Sequence, residues 1–284
     1  MKLGFLTQYS DHIVEVAARI GFDGLELHAG SWGTPPPSTT TAAKTRCAGA
    51  RDRLKEAGIT VTALGFYGNH ITAKPGTLRK EFAAVMNIGD YLGCKVITSL
   101  VGRLENLSIE DHMPIFKKVF GPIARMAEDR GYKIAFESWS GFHGYPFHGT
   151  NIAYCPAAWD MIFEAVDSPA IGLEFDPSHL HFQMMDYVGL VRRYGQKIFH
   201  VHAKDTEILR DRLSTNGIFS SGWWRFRIPG WGEINWTKFI SALHDVGYKG
   251  GIAIEHEDPV FSGARFEEGL QLGYNTLAPL LVRR

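Results

Sequence analysis

KIFHVHAKD, residues 197–205, alternates without a break. Phe199, Val201 and Ala203 fall on one face; His200, His202 and Lys204 fall on the other. This is the period of a strand with one greasy side and one side carrying two imidazoles and an amine. A strand whose polar side met only solvent would more usually carry Glu, Lys, Thr or Ser there. Taken alone, the stretch fits either a strand with a hydrogen-bonded core histidine or a strand turned toward a site. Three further strands that end in the same way favour the site.

On either side of this stretch, short apolar runs alternate with longer amphipathic segments. Strands are expected at 3–7, 24–28, 60–66, 95–101, 133–137, 172–176, 197–204 and 251–255. Helices are expected at 11–20, 41–57, 77–92, 108–130, 156–166, 187–194, 235–246 and 266–281, with Gly58, Gly93, Gly131 and Gly247 as stops. Pro114 and Pro122 are expected to break or kink the helix at 108–130. Eight strand–helix units in 284 residues predict a single α/β domain over 1–284, a (β/α)8 TIM barrel. A doubly wound open sheet is the alternative, but no GxGxxG or GxxxxGK is present. Two loops are long, 138–155 and 206–234; both follow strands, on the face where barrel sites form.

The inward faces of the last four strands can then be compared. Lys133, Ala135 and Glu137 share one face, as do Gly172, Glu174 and Asp176, and Gly251, Ala253 and Glu255. The opposite faces are apolar: Ile134 and Phe136, Leu173 and Phe175, Ile252 and Ile254. Four successive strands therefore bring Glu137, Asp176, His202 and Glu255 to one mouth. Three carboxylates cannot stay ionised together there without a counter-charge, because mutual repulsion raises their pKa values. One divalent cation removes the conflict, and three carboxylates with one imidazole suit Mn²⁺, with Co²⁺, Mg²⁺ or Zn²⁺ as alternatives.

Composition narrows the class. Lys plus Arg and Asp plus Glu are 30 each, which gives no electrostatic footprint for nucleic acid or an anionic membrane. Hydrophobic residues make up 45%, enough for a large core, and no apolar run reaches membrane-spanning length. Cys47, Cys94 and Cys155 are odd in number and lack CxxC spacing, which fits a reducing cytoplasm better than a disulfide framework.

FES at 136–138, EFDPSH at 174–179, HVHAKD at 200–205 and IEHED at 254–258 resemble the xylose isomerase-like barrel family of sugar isomerases, epimerases and inosose dehydratases. PGWGEINW and GYKGGIAIEHEDP extend the resemblance to essentially the whole chain. It implies one divalent metal on Glu137, Asp176, His202 and Glu255, with Glu137 and Glu255 also the acid/base pair, and His179 on a substrate oxygen. It also implies a small carbohydrate as substrate and a homo-oligomer, with a small second subunit as a further partner. Two positions depart from the sugar epimerase pattern. His143 stands where a second Glu is usual and Ile208 where an Arg is usual. His143 is thereby a candidate base, since an imidazole titrates near neutrality. A lyase acting on an oxo-sugar, inosose or oxo-glycoside becomes the alternative to an isomerase or epimerase. Relatives of endonuclease IV type share the barrel but need more metal histidines and a basic groove. A non-catalytic sugar-binding subunit is the third reading.

Other residues have two readings each. Arg225 and Arg227 either clamp substrate or cap the loop, with Arg227 assigned to substrate. Trp223, Trp224 and Trp231 stack on a sugar ring, or pack within the loop or against a subunit. Glu26, His28 and His70 line the pocket or belong to its rim and core. Lys204 binds a substrate oxygen or neutralises Glu174. His112 and His244 are read as surface residues, and His256 as structural.

Overall fold

A computed structural model describes residues 1–33, 41–142 and 149–282, the side chains of 41–43 excepted. His143, the candidate base, lies outside the described residues. The strands are β1 (Lys2–Thr7), β2 (Gly24–His28), β3 (Thr60–Phe66), β4 (Val96–Ser99), β5 (Lys133–Glu137), β6 (Ile171–Phe175), β7 (Ile198–Ala203), β8 (Asp205–Ile208), β9 (Trp224–Arg227) and β10 (Gly251–Ile254). The helices are α1 (Asp11–Ile20), α2 (Thr41–Glu56), α3 (Pro75–Leu92), α4 (Ile109–Asp129), α5 (Pro156–Ala165), α6 (Pro177–Phe182), α7 (Tyr187–Tyr194), α8 (Arg210–Asn216), α9 (Trp236–Asp245) and α10 (Phe266–Leu277). β1, β10, β7, β6, β5, β4, β3 and β2 pair in parallel and close on themselves. The chain is thus a (β/α)8 barrel, as the unit count predicts.

The outward faces of the strands supply the core between barrel and helices: Leu3, Phe5, Ile134, Phe136, Leu173, Phe175, Ile252 and Ile254 are all buried. Glycine makes the barrel wall close at particular points. A Cβ on Gly4 would sit 2.2 Å from the carbonyl oxygen of Gly24, and one on Gly251 would sit 2.9 Å from Nε2 of His200. The parallel ladder is irregular at two places, between Leu25 and Glu26 and between Leu173 and Glu174. A bulge bends the strand and re-aims the side chains beside it, and both irregularities adjoin a buried glutamate.

Three expectations need correction. Pro114 and Pro122 do not break α4, which runs unbroken from Ile109 to Asp129. Each proline removes one hydrogen bond, but Phe116, Val119, Phe120, Ile123 and Ala127 bury the inner stripe of that helix. Pro114 itself is on the exposed side, where water reaches the freed carbonyl. The segment 206–234 is not a structureless loop. It holds α8 and an antiparallel β8–β9 pair with Asp205 opposite Arg227 and Glu207 opposite Arg225. Residues 177–182, which carried no expected helix, form α6, with Pro177 at the start and Asp176 as N-cap. Among the described residues no helix is long and apolar enough to cross a membrane.

Candidate metal centre and substrate cavity

Glu137 ends β5, Asp176 follows β6, His202 lies in β7 and Glu255 follows β10. One ligand atom from each lies within 4.8 Å of the other three. Glu137, Asp176 and His202 are buried and Glu255 is nearly so. Nδ1 of His202 is 3.0 Å from Glu255 and 3.4 Å from Glu137. Asp176 divides its two oxygens. Oδ1 accepts from the backbone N–H of Ser178 at 2.8 Å and starts α6, while Oδ2 faces the cluster. Oδ2 of Asp176, Nδ1 of His202 and both ring nitrogens of His179 are buried without a hydrogen bond. Buried polar atoms are seldom left so; Asp176 and His202 belong to the four-residue cluster, and Nε2 of His179 lies 3.3 Å from Oδ2 of Asp176. Hard oxygen donors with one imidazole are the donor set of a divalent cation, so the residues fit such an ion.

Electrostatics agree. Burial pushes the Glu255 carboxyl up, but Lys204 and His202 outweigh it and hold the group well below the usual carboxylate range. Burial and the neighbouring Glu255 push Glu137 up, and the nearby imidazoles of His179 and His202, each 3.4 Å away, bring it below its ordinary value. His202 is pushed down by burial and drawn well above its ordinary value by Glu174, Glu255 and Glu26. The cluster thus draws in positive charge.

Directly beneath, two residues earlier on β6 and β7, is a second buried cluster: Glu26, Glu174, His200 and His202. His202 belongs to both. Its Nε2 is 3.0 Å from Glu26 and 2.9 Å from Glu174. The Tyr67 hydroxyl lies between the two glutamates, 2.8 Å from Glu26 and 2.9 Å from Glu174. Thr98 donates to Glu26, and His200 reaches Glu174 at 3.2 Å. Burial pushes Glu26 up, but His200 and His202 outweigh it and hold the carboxyl at about 2. Burial, then the charge of Glu26, lifts Glu174 to about 7. This cluster holds His202 in place from below, as outer carboxylates orient a metal-binding imidazole.

Above the metal cluster is a cavity of about 310 Å³, lined by His28, Tyr67, Glu137, Trp139, His179, Lys204, Phe226, Glu255 and Glu257 among others. That volume suits a small ligand. Lys204 is buried, bonded to Glu255 at 2.6 Å and Glu257 at 3.0 Å, and 3.4 Å from Asp176. It therefore pairs with the upper carboxylates; Glu174 lies against the two histidines instead, 3.2 Å from His200 and 2.9 Å from His202. Nε2 of His179 lies 3.4 Å from Glu137 and 3.3 Å from Asp176.

The structure does not bring Arg227 to the cavity. Its guanidinium donates to Asp258 at 2.8 Å and Glu207 at 2.7 Å, which fastens the β8–β9 pair to the chain after β10. Arg225 likewise bonds Glu207. Asp205 accepts from the N–H groups of Thr206, Gly230, Ile234 and the Trp236 indole, and so anchors the whole 206–234 excursion. Trp224 stacks on Phe182 at 4.6 Å, and Trp231 packs edge-on against Phe261. His70 is a core residue bonded to the Phe66 carbonyl. His112, expected on the surface, is buried and accepts from the Leu104 N–H at 2.9 Å, because α4 turns that face inward. His244 is half-buried. His256 stacks on Phe266 at 4.7 Å, consistent with a structural role. Sequence reasoning missed Tyr67 and Glu257. Both immediately follow or lie close after barrel strands, which is the one signal that marked them.

The chain matches the family model described as xylose isomerase-like TIM barrel over residues 14–275. An inosose isomerase of Bacillus licheniformis is 27% identical, over 79% of this chain and 76% of that protein. An inosose dehydratase of Clostridium perfringens is 23% identical, over 70% of this chain and 71% of that protein. The crystal structure of an IolI protein with a bound zinc atom superposes with a TM-score of 0.74 at 20% identity, covering 100% of both chains, a likeness of fold. With the barrel and the strand-end residues in place, the match over 14–275 makes this chain a member of the xylose isomerase-like TIM barrel family.

Proposed function

We propose that this protein removes a proton from the carbon beside the carbonyl of a small sugar or cyclitol, using one divalent metal ion, with Mn²⁺ the best fit to the donors. The observation that carries the reading is the convergence of four donors, three buried and one partly buried, two of them with unpaired atoms, beneath a cavity. Glu137, Asp176, His202 and Glu255 hold the ion, which supplies Lewis-acid polarisation of the carbonyl oxygen. Asp176 and His202 are fixed by the α6 cap and the lower cluster, so their donor atoms are set before substrate enters. Lys204 keeps Glu255 ionised, and Glu255 and Glu137 are the carboxylates that accept the carbon proton and return it. His179, with both ring nitrogens unpaired, donates to a substrate oxygen. Lys204, at the cavity wall, steadies a second oxygen.

Re-protonation of the carbon gives an isomer or epimer, the first reading. Loss of a β-substituent instead gives a lyase, the second reading. It is favoured by Ile208, which leaves no guanidinium at that position to hold a free ketose, and which bonds through its backbone to Glu233. The test is metal-stripped protein reloaded with Mn²⁺ and incubated in D₂O with ketoses, inososes and 3-oxo-glycosides. Metal-dependent loss of the α-hydrogen is expected with one class, and product analysis separates isomer from elimination product. No exchange with any of the three ends the proposal.

A further inference from the structure

A second cavity, of about 300 Å³, adjoins the first. Phe142, Phe182, Met184, Met185, Ile218 and Trp223 give it an apolar lining, and Arg103 adds a guanidinium. Three segments contribute to both cavities. After β5, Trp139 lines the first cavity and Phe142 the second. On α6, His179 lines the first and Phe182 the second. On the 206–234 excursion, Phe226 lines the first and Trp223 the second. The rings form a continuous strip between them. Phe226 is 5.1 Å from His179, and Phe182 is 6.2 Å from His179. Phe182 is in turn 6.2 Å from Trp223 and stacked on Trp224, which also stacks on Phe142 at 5.7 Å.

Folding leaves this cavity's apolar rim in water. Met184 is 73% exposed and Ile218 50%, among the most exposed large apolar side chains of the described residues. Met184 is also held at φ 61, a left-handed conformation that non-glycine residues seldom take. No described lining residue is acidic.

We infer that this second cavity receives an apolar, ring-bearing substituent carried by the carbohydrate, so that the substrate is a glycoside or similar ring conjugate rather than a free sugar. The inference rests on the proposed carbonyl chemistry of the first cavity for what occupies the other end of the molecule. Aromatic and methionine side chains present faces and edges on which a planar ring stacks. Arg103 meets a phenolic or carboxylate oxygen on that ring. The concave form, and the ring strip leading from His179 and Phe226, point to a group joined to the reacting sugar.

The probes are 4-nitrophenyl β-D-glucopyranoside and methyl β-D-glucopyranoside, titrated into the full chain by calorimetry and by tryptophan fluorescence, which the nitrophenyl ring quenches beside Trp223. The aryl glycoside is expected to bind about tenfold more tightly or better. Ile218→Asp, at a half-exposed position that folding tolerates, is expected to cut that preference to about twofold with an unchanged thermal melt, and Met184→Asp is expected to act in the same direction. Equal affinity for the two probes, or no binding of the aryl glycoside at about 10 mM, overturns the inference. So does an Ile218→Asp protein that falls from oligomer to monomer in sedimentation, since the rim would then be a subunit contact. Asp176→Asn separates the two readings: it is expected to lose Mn²⁺ binding and keep the aryl preference. A wild-type protein that shows the preference but binds no Mn²⁺ refutes the proposed reaction alone.

Discussion

The two acidic clusters of this barrel share His202 and lie two residues apart along β6 and β7, yet they are finished differently. In the lower one every glutamate oxygen, both nitrogens of His200 and Nε2 of His202 have a partner: Tyr67, Thr98, Thr62 and the two histidines close the network. In the upper one Asp176 Oδ2, His202 Nδ1 and the His179 ring are left open. A closed set of charges is a piece of architecture. An open set that is almost as deeply buried is unfinished unless something binds there, and binding sites are where proteins tolerate such cost. Residue types alone do not separate the two clusters; the direction of the unpaired atoms does.

Substitution tests that contrast directly. Asp176→Asn keeps the α6 cap, because Asn caps as well as Asp, and removes one charge from the open cluster. Mn²⁺ affinity is expected to fall about a hundredfold and turnover on the order of 10³-fold. Stability of the metal-free protein is expected to stay within about 1 kcal/mol, measured by urea unfolding. Glu26→Ala should do the reverse. It removes one of the two buried carboxylates that contact both His200 and His202, at a cost of about 3 kcal/mol, and lowers Mn²⁺ affinity about tenfold through a loosened His202. If Glu26→Ala left stability untouched, the lower cluster would not be the closed network described. A smaller effect follows from Tyr67→Phe. One hydroxyl bridges Glu26 and Glu174, and its loss is expected to cost about 1–3 kcal/mol in the same unfolding assay.

The open cluster was legible in the sequence and the closed one was not, for a physical reason. Glu137, Asp176, His202 and Glu255 each fall on the polar side of a strict two-residue alternation at a strand end, and a barrel turns all such ends to one mouth. The closed cluster depends on contacts across the barrel between β2 and β7, and on irregularities beside Glu26 and Glu174 that no alternation encodes. Lys204 was read from its strand as a possible partner of Glu174, but the side chain reaches upward to Glu255 and Glu257. Arg227 looked like a clamp because it sits in an aromatic loop; its pairing with Asp258 needs the return of β10 beside the β8–β9 pair. α6 could have been found, since Asp-Pro-Ser is an N-cap followed by proline at the first helical position. The eight-unit barrel itself was legible because periodicity and glycine stops are local signals.

The weakest expected effect concerns the β8–β9 pair, which shapes the cavity through Phe226 but is tied down by ion pairs nearer the surface. Hydrogen bonds from Arg210 hold Glu233 at about 2, although burial pushes it up. Arg225, and then Arg227, hold Glu207 below its ordinary value. Burial raises Asp258, but the N–H groups of Val260 and Ile228 and the Arg227 guanidinium outweigh it. A carboxyl whose folded pKa is depressed adds stability that is complete above its unfolded value and is lost as pH falls toward the folded one. For Glu233 that window runs from the ordinary value of 4.5 down to about 2. Amide exchange at residues 205–208 and 224–227 is therefore expected to accelerate across that window, before exchange in the barrel strands. Arg210→Gln is expected to move part of the acceleration to higher pH. Because Arg210 is exposed and Glu233 half-buried, added salt should shrink the difference between variant and wild type. If the barrel strands and the β8–β9 pair opened together at every pH, the pair would be part of the barrel's cooperative unit rather than a separately fastened wall.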